Sequence, residues 1–174
     1  MSAISNKFLE RRTNLKLRKN DASRKTVSYT EAKNIGILFT IENREKHEKV
    51  KSLIKTLKED GKTVDVLCLL LPGKENYDFT FDYFTPKDFS FFGQVTSELV
   101  ASFNDKEFDY LIYLDIQPDI FAENILANCR AKCRIGKFVN EQKSPFYELM
   151  IKTQETQDLQ LFINEVYHYL KVLS

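Results

Sequence analysis

The hydrophobic positions of this chain alternate between short continuous runs and stretches of helical period. Residues 34–41 (NIGILFTI) form an apolar run rich in β-branched and aromatic side chains, which is typical of a buried strand. A second run covers residues 64–71 (VDVLCLLL) and stops at a Pro-Gly pair. Between the two runs, apolar residues recur at helical spacing at Val50, Leu53, Ile54 and Leu57. This order predicts a βαβ unit and the beginning of a parallel sheet.

Two residues mark the ends of the helix between these strands. Asn43 can cap the first turn with its side chain, and Gly61 stands where a left-handed C-terminal cap is wanted. The helix is therefore expected to begin near Arg44 and to end just before Gly61.

The same alternation continues in the second half of the chain. Residues 108–115 (FDYLIYLD) predict a third core strand, and Pro118 is expected at the first position of a following helix. Shorter strands are predicted at residues 133–139 and 146–152, before an amphipathic terminal helix with Thr156 as its N-cap. The pattern as a whole predicts an α/β fold with a Rossmann-like, mostly parallel sheet flanked by helices.

An aromatic segment separates the two halves. Eight of the sixteen residues from Tyr77 to Phe92 are aromatic, and at its start they alternate with Asp78, Thr80 and Asp82, which predicts a half-exposed edge strand. A turn at Pro86 and a helix near residues 95–103 should follow. Aromatic rings can stack on bases, but the interleaved carboxylates disfavour nucleic acid here. Cover for a sheet edge, or a homodimer contact, is the preferred interpretation.

Charge is distributed unevenly along the chain. The first 25 residues carry eight basic and two acidic side chains, a net charge of +6, whereas the remainder carries −5. We interpret residues 1–33 as a basic helical arm and residues 34–174 as a single α/β domain. The arm predicts contact with an acidic protein, a nucleic acid or an anionic membrane surface. The candidate contact residues are Arg11, Arg12, Lys16, Arg18 and Lys19.

The alternative for the arm is a solvated helix whose Ile4, Phe8 and Leu15 dock loosely on the domain. The predicted strands and apolar stripes begin after Lys33. For this reason, whichever role the arm has, removal of residues 1–25 should leave the domain folded.

Several kinds of chemistry are disfavoured. The turn after the first strand, residues 40–45, contains no glycine, so neither a dinucleotide fingerprint nor a P-loop is present and no cofactor is predicted. Cys68, Cys129 and Cys133 are an odd number and should be free thiols, and no second ligand pair accompanies them, so no metal site is predicted. His47 and His168 are expected at surface or boundary positions.

The chain contains neither an apolar stretch of membrane-spanning length nor an apolar centre of the kind a secretory signal requires in residues 1–20. We therefore expect no transmembrane span and a cytoplasmic protein.

Polar residues follow two of the predicted strands. Glu42 and Asn43 come after the first strand, and Asp115 and Gln117 follow the strand of residues 108–115. Because the carboxyl ends of parallel strands meet at one edge of a sheet, these four residues are the ligand-binding candidates. Asp115 is the strongest of them. Its alternative role is to satisfy backbone donors at the start of the helix near Pro118.

Residues 108–138 (FDYLIYLDIQPDIFAENILANCRAKCRIGKF) resemble part of the N-terminal half of heptosyltransferase-type (GT-B) glycosyltransferases: a strand ending in an acid, a helix, then Arg134 and Ile135-Gly136. The resemblance implies a similar fold. At this chain length we expect no second domain of the kind those enzymes have, so the resemblance does not imply transferase activity. The whole chain, with its basic arm and terminal helix, is similar to an uncharacterised small-protein family of Bacteroidetes.

These observations favour a non-enzymatic binding or assembly module whose basic arm engages an acidic partner, because no catalytic constellation is evident. A small-molecule-binding protein or enzyme that uses the strand-end crevice is the alternative. A further alternative is self-association through the aromatic segment of residues 77–92.

Overall fold

A computed structural model describes residues 3–74, 81–140, 145–154 and 157–173, with side chains from residue 5 onwards. The helices are α1 (Ala3–Lys19), α2 (Arg44–Glu59), α3 (Glu98–Asp105), α4 (Ile120–Asn128) and α5 (Leu159–Val172). The strands are β1 (Asn34–Ile41), β2 (Thr63–Leu70), β3 (Asp82–Phe84), β4 (Tyr110–Tyr113), β5 (Cys133–Lys137) and β6 (Leu149–Ile151). The predicted α/β class is confirmed.

The six strands form one sheet in the order β3-β2-β1-β4-β5-β6, and every neighbouring pair is parallel. Strands β2 and β3 follow on one side of β1, and β4, β5 and β6 follow on the other side. In the register, Ile35 lies opposite Val64 of β2 and Tyr110 of β4. The strand order therefore reverses between β1 and β4.

Helices cover both faces of the sheet. In β1, Ile35, Ile37 and Phe39 point into a core shared with α2 and α5. Leu38 points to the opposite face, into a second core that contains side chains of α1, α3 and α4. Because both faces are buried, the central strands read as continuous apolar runs rather than as an alternating pattern.

The caps of α2 are as predicted. Asn43 Oδ1 accepts a hydrogen bond from the Lys46 amide at 2.8 Å. Gly61 adopts a φ of +79°, and the Lys62 amide donates to the Leu57 carbonyl at 3.0 Å, which closes the helix.

Other predicted boundaries were wrong by a few residues. Helix α4 begins at Ile120 with Asp119 as its N-cap, so Pro118 precedes the cap rather than occupying the first helical position. Asp158 caps α5, and the predicted cap Thr156 lies outside the described residues, as do residues 77–80 of the aromatic segment. In the edge strand β3 the buried side chain is Phe84, whereas Tyr83 is exposed.

Helix α1 packs on α4 through a different face from the one that the sequence suggested. Ser5, Leu9 and Thr13, spaced four residues apart, are buried, and Leu9 is only 1% exposed within the core on that side of the sheet. Asn124 Nδ2 of α4 donates to Thr13 Oγ1 at 2.8 Å. Of the three residues expected to dock, Phe8 and Leu15 are exposed instead, and the side chain of Ile4 lies outside the described part of the structure.

Gly93 sets the depth at which α1 sits. Its φ is +71°, a conformation that side chains rarely tolerate, and a Cβ atom at this position would lie 2.7 Å from the Leu9 Cα atom. Only glycine can combine this backbone conformation with so close a contact.

The segment that follows α1 is also tied to the domain. Asn20 Nδ2 donates to the Ala127 and Cys129 carbonyls at 2.9 Å, at the C-terminal end of α4. The Lys25 amide donates to the Lys132 carbonyl at 2.9 Å. These bonds fix the chain where it leaves α1.

We expect two leucines of α1 to behave differently on truncation. Leu9→Ala should lower the free energy of unfolding by about 2–5 kcal/mol, because it opens a cavity in the core. Leu15→Ala should change it by no more than about 0.5 kcal/mol, because Leu15 is 48% exposed. Urea denaturation followed by circular dichroism measures both. Equal, small effects would support the expectation that the arm is dispensable for folding.

Candidate functional site

The carboxyl ends of β1 and β4 meet where the strand order reverses. In open parallel sheets, ligands bind in the crevice outside the strand ends at this point. Glu42 and Asn43 follow β1, and Asp115 lies two residues after β4. The fold therefore brings three of the four predicted ligand-binding residues to the same edge of the sheet.

Asp115 continues the pairing of β1 after β4 has ended. The Leu114 amide still donates to the Leu38 carbonyl at 2.9 Å. The next free donor of β1 is the Thr40 amide, and it donates to Asp115 Oδ2 at 3.0 Å. The Thr40 hydroxyl donates to the same oxygen at 2.6 Å. The carboxylate thus takes the place of a backbone acceptor.

Lys46, in the first turn of α2, completes this network. Its Nζ donates to Asp115 Oδ1 and, at 2.6 Å, to Glu42 Oε1. The side chains of Lys46 and Asp115 are only 5% and 3% exposed. A cation in the first turn is repelled by the positive end of the helix dipole. The carboxylates of Asp115 and Glu42 offset this repulsion. The network binds β1, β4 and α2 together.

The predicted site residues therefore have separate roles. The proposal that Asp115 caps the following helix is wrong, because Asp119 Oδ1 accepts the Phe121 and Ala122 amides of α4. Both Asp115 oxygens accept hydrogen bonds from the protein itself. Gln117 is exposed, and its backbone carbonyl accepts the Tyr113 hydroxyl at 3.3 Å. A ligand-binding role for these residues stays a prediction.

Sequence reasoning missed Lys46. The signal was present: Glu42 and Lys46 are four residues apart across a helix start, and a lysine in a first turn needs an anionic partner. The identity of the second partner, Asp115, depends on the pairing of β1 with β4 and is not visible along the chain.

Burial favours the neutral forms of the three cysteines and of His47. The three cysteines are free and buried, and burial raises the pKa of each thiol, that of Cys133 to about 12. His47 is buried rather than at the predicted surface or boundary position, and burial lowers its pKa. No group of three or more His, Cys, Asp or Glu side chains within the described part of the chain could hold a metal ion.

Helix α1 carries six basic side chains. Docking of the uncharged Ser5, Leu9 and Thr13 leaves the cations outside the contact, where five are exposed and Arg12 is half-buried. None of the six forms an ion pair within 4.0 Å among the residues that the structure describes. Elsewhere many lysines are paired, for example Lys132 with Asp109 at 2.7 Å. The six residues, here called the basic face, are Lys7, Arg11, Arg12, Lys16, Arg18 and Lys19.

Part of the basic face borders a groove. A cavity of about 470 Å³ runs between α1 and the C-terminal ends of α3 and α4. Arg12, Lys16 and Lys19 line one side, and Arg130 lies on the other side, just beyond the end of α4. Asp21 and Asp105 are the acidic lining residues, so cations outnumber them. Arg11 and Arg18 lie around a separate depression on α1. All five predicted contact residues are therefore on accessible surface.

The all-parallel sheet and its strand order define a Rossmann-like α/β protein. A family model described as a family of unknown function (DUF6913) matches residues 6–173, and the chain belongs to this family. The matched range includes most of α1 as well as the sheet. Comparison with the curated proteins and with the solved structures gave no match. Within the described residues, no helix has both the length and the apolar character needed to cross a membrane.

The buried pair of Lys46 and Asp115 should matter for folding. Lys46→Met should lower the free energy of unfolding by about 3–5 kcal/mol, because it leaves a buried carboxylate without its cation. Lys46→Met combined with Asp115→Asn should cost less than the sum of the two single changes. Urea denaturation of the three variants gives the coupling free energy.

Lys49→Met is the matched control. Lys49 lies in the same helix and pairs with Glu45, whose side chain is 76% exposed, so its loss should cost no more than about 0.5 kcal/mol. If Lys46→Met is as mild as Lys49→Met, the network is not structural, and its polar groups are available to a ligand.

Proposed function

We propose that this protein is a non-enzymatic binding module that engages a negatively charged partner through the basic face of α1. The observation that carries the proposal is the set of six cations without ion-pair partners among the described residues, on a helix whose opposite face is fixed in the core. Unpaired cations raise the local concentration of anions and favour their binding.

The rigid attachment of α1 supports this proposal. A flexible basic tail loses conformational entropy when it binds, whereas the hydrogen bonds of Thr13 and Asn20 and the close contact at Gly93 hold this helix in advance. The groove beside Arg12, Lys16 and Lys19 adds a concave surface with amide side chains at its edge, including Asn20 and Asn128.

A second candidate is a small-molecule site at the reversal of strand order between β1 and β4. It is supported by the strand order itself and by the presence of Glu42, Asn43 and Lys46 at this edge. Residues 108–138 resemble heptosyltransferase-type glycosyltransferases, and the whole chain resembles small proteins of Bacteroidetes. The first resemblance supports the fold on which this candidate site depends. The site ranks second because Lys46 and Asp115 already satisfy each other.

Replacing Arg11, Arg12, Lys16, Arg18 and Lys19 by Gln should abolish binding to a polyanion while leaving the thermal midpoint nearly unchanged, because these side chains make no ion pairs in the described structure. Single-stranded RNA, duplex DNA, polyglutamate and phosphatidylserine vesicles would each be titrated at about 0.15 M salt. If duplex DNA binds through six phosphate contacts, log K should fall with log salt at a slope of about −5.

A matched control removes the same number of charges from α2, which carries three carboxylates beside its six cations. That variant should bind as the wild type does. Failure of the wild-type protein to bind any of the four polyanions at this salt would refute the proposal, and equal losses in both variants would show only a net-charge effect. The control changes to Gln are Arg44, Lys49, Lys51, Lys55 and Lys58.

A further inference from the structure

Three phenylalanines form an exposed cluster beside the basic face. Phe8 of α1 contacts Phe91 and Phe92, with ring centroids 5.8 and 5.7 Å apart, and the rings of Phe91 and Phe92 are 5.5 Å apart. The exposed fractions are 39%, 52% and 62%, respectively. Large apolar side chains that gather at the surface usually mark a contact with another molecule.

The cluster continues along α1 as an amphipathic surface. Leu15 lies seven residues after Phe8 and is therefore on the same side of the helix, where it is also exposed. Arg11 lies between them, three residues after Phe8 and four before Leu15. Cations thus flank and interrupt an apolar stripe that faces outward. The inward stripe of the same helix, with Leu9 at its centre, packs on the domain.

We propose that the negatively charged partner is an anionic bilayer surface, into which Phe8, Phe91 and Phe92 insert while the basic face contacts lipid headgroups. This inference rests on the proposed function and names its partner. Exposed apolar side chains beside a row of Lys and Arg match the interfacial layer of such a membrane, which is apolar at acyl depth and negatively charged at its surface.

The charge pattern argues against a second copy of the chain. A twofold symmetric contact would place the same patch on both sides of the interface, so Lys7 and Arg11 of each copy would approach like charges. Nucleic acid fits the aromatic cluster poorly, because Phe91 and Phe92 pack edge to face at an interplanar angle of 90°. Rings that meet in this way do not offer parallel faces to successive bases.

The full-length protein would be tested by co-sedimentation with phosphatidylcholine vesicles, with and without phosphatidylserine. Binding should require phosphatidylserine. Phe91→Ala combined with Phe92→Ala should weaken it by about tenfold or more, because membrane affinity scales with the buried apolar area. The same variant should bind polyglutamate as the wild type does, and its thermal midpoint should be unchanged. Tyr169→Ala, at an exposed tyrosine of α5, is the control and should bind vesicles normally.

The outcomes separate this inference from the proposed function. If the wild type ignores phosphatidylserine vesicles but binds RNA, DNA or polyglutamate, the inference fails and the proposed function stands. If it binds none of them, both fail. Equal binding to vesicles with and without phosphatidylserine contradicts the role of charge. Unchanged vesicle binding by the phenylalanine variant contradicts insertion.

A fluorescence reporter tests insertion directly. The chain contains no tryptophan, so Phe92→Trp introduces a single emitting indole. Its emission should shift to shorter wavelength with phosphatidylserine vesicles and should be quenched by brominated acyl chains, but should show neither effect with polyglutamate. Tyr169→Trp, on a helix that packs on the opposite face of the sheet, should show no shift. Unshifted emission from vesicle-bound protein carrying Phe92→Trp would overturn the proposal.

Discussion

The contact between Leu9 and Gly93 determines which way helix α1 faces. Gly93 holds a φ of +71° and lets the Leu9 backbone approach more closely than any side chain would allow. With Leu9 in the core and Thr13 bonded to Asn124, the remaining faces of the helix must point to solvent. The outward position of both the basic residues and Phe8 follows from this single packing constraint.

The chain handles its charges in two different ways. In the α/β part, many cations are matched by nearby carboxylates, and the burial of Lys46 is possible because Asp115 and Glu42 share its ammonium group. On α1, the cations lie outside the core, and five of the six are exposed to solvent. They can therefore remain without ion-pair partners in the described structure, which is the property that the proposed binding function needs.

Local pattern was sufficient for much of the fold. The apolar run of residues 34–41 matches β1 in full, and Asn43 and Gly61 cap α2 as their chemistry requires. Strand ends were less well predicted, because the apolar run continues beyond Tyr113, where β4 ends. There the Asp115 carboxylate, instead of a backbone carbonyl, accepts the hydrogen bond of the Thr40 amide. The role of Lys46 was not predicted, because its partner Asp115 is 69 residues away in the sequence.

The sequence by itself determined the parallel α/β class and the concentration of positive charge in the first 25 residues, because period and composition are local properties of the chain. It could not determine the orientation of α1. Leu9 and the pair Phe8 and Leu15 are all apolar, and either stripe could have docked. The tertiary structure decided between them, because α1 approaches α4 and Gly93 closely along the line of Ser5, Leu9 and Thr13, where two of the three side chains are small.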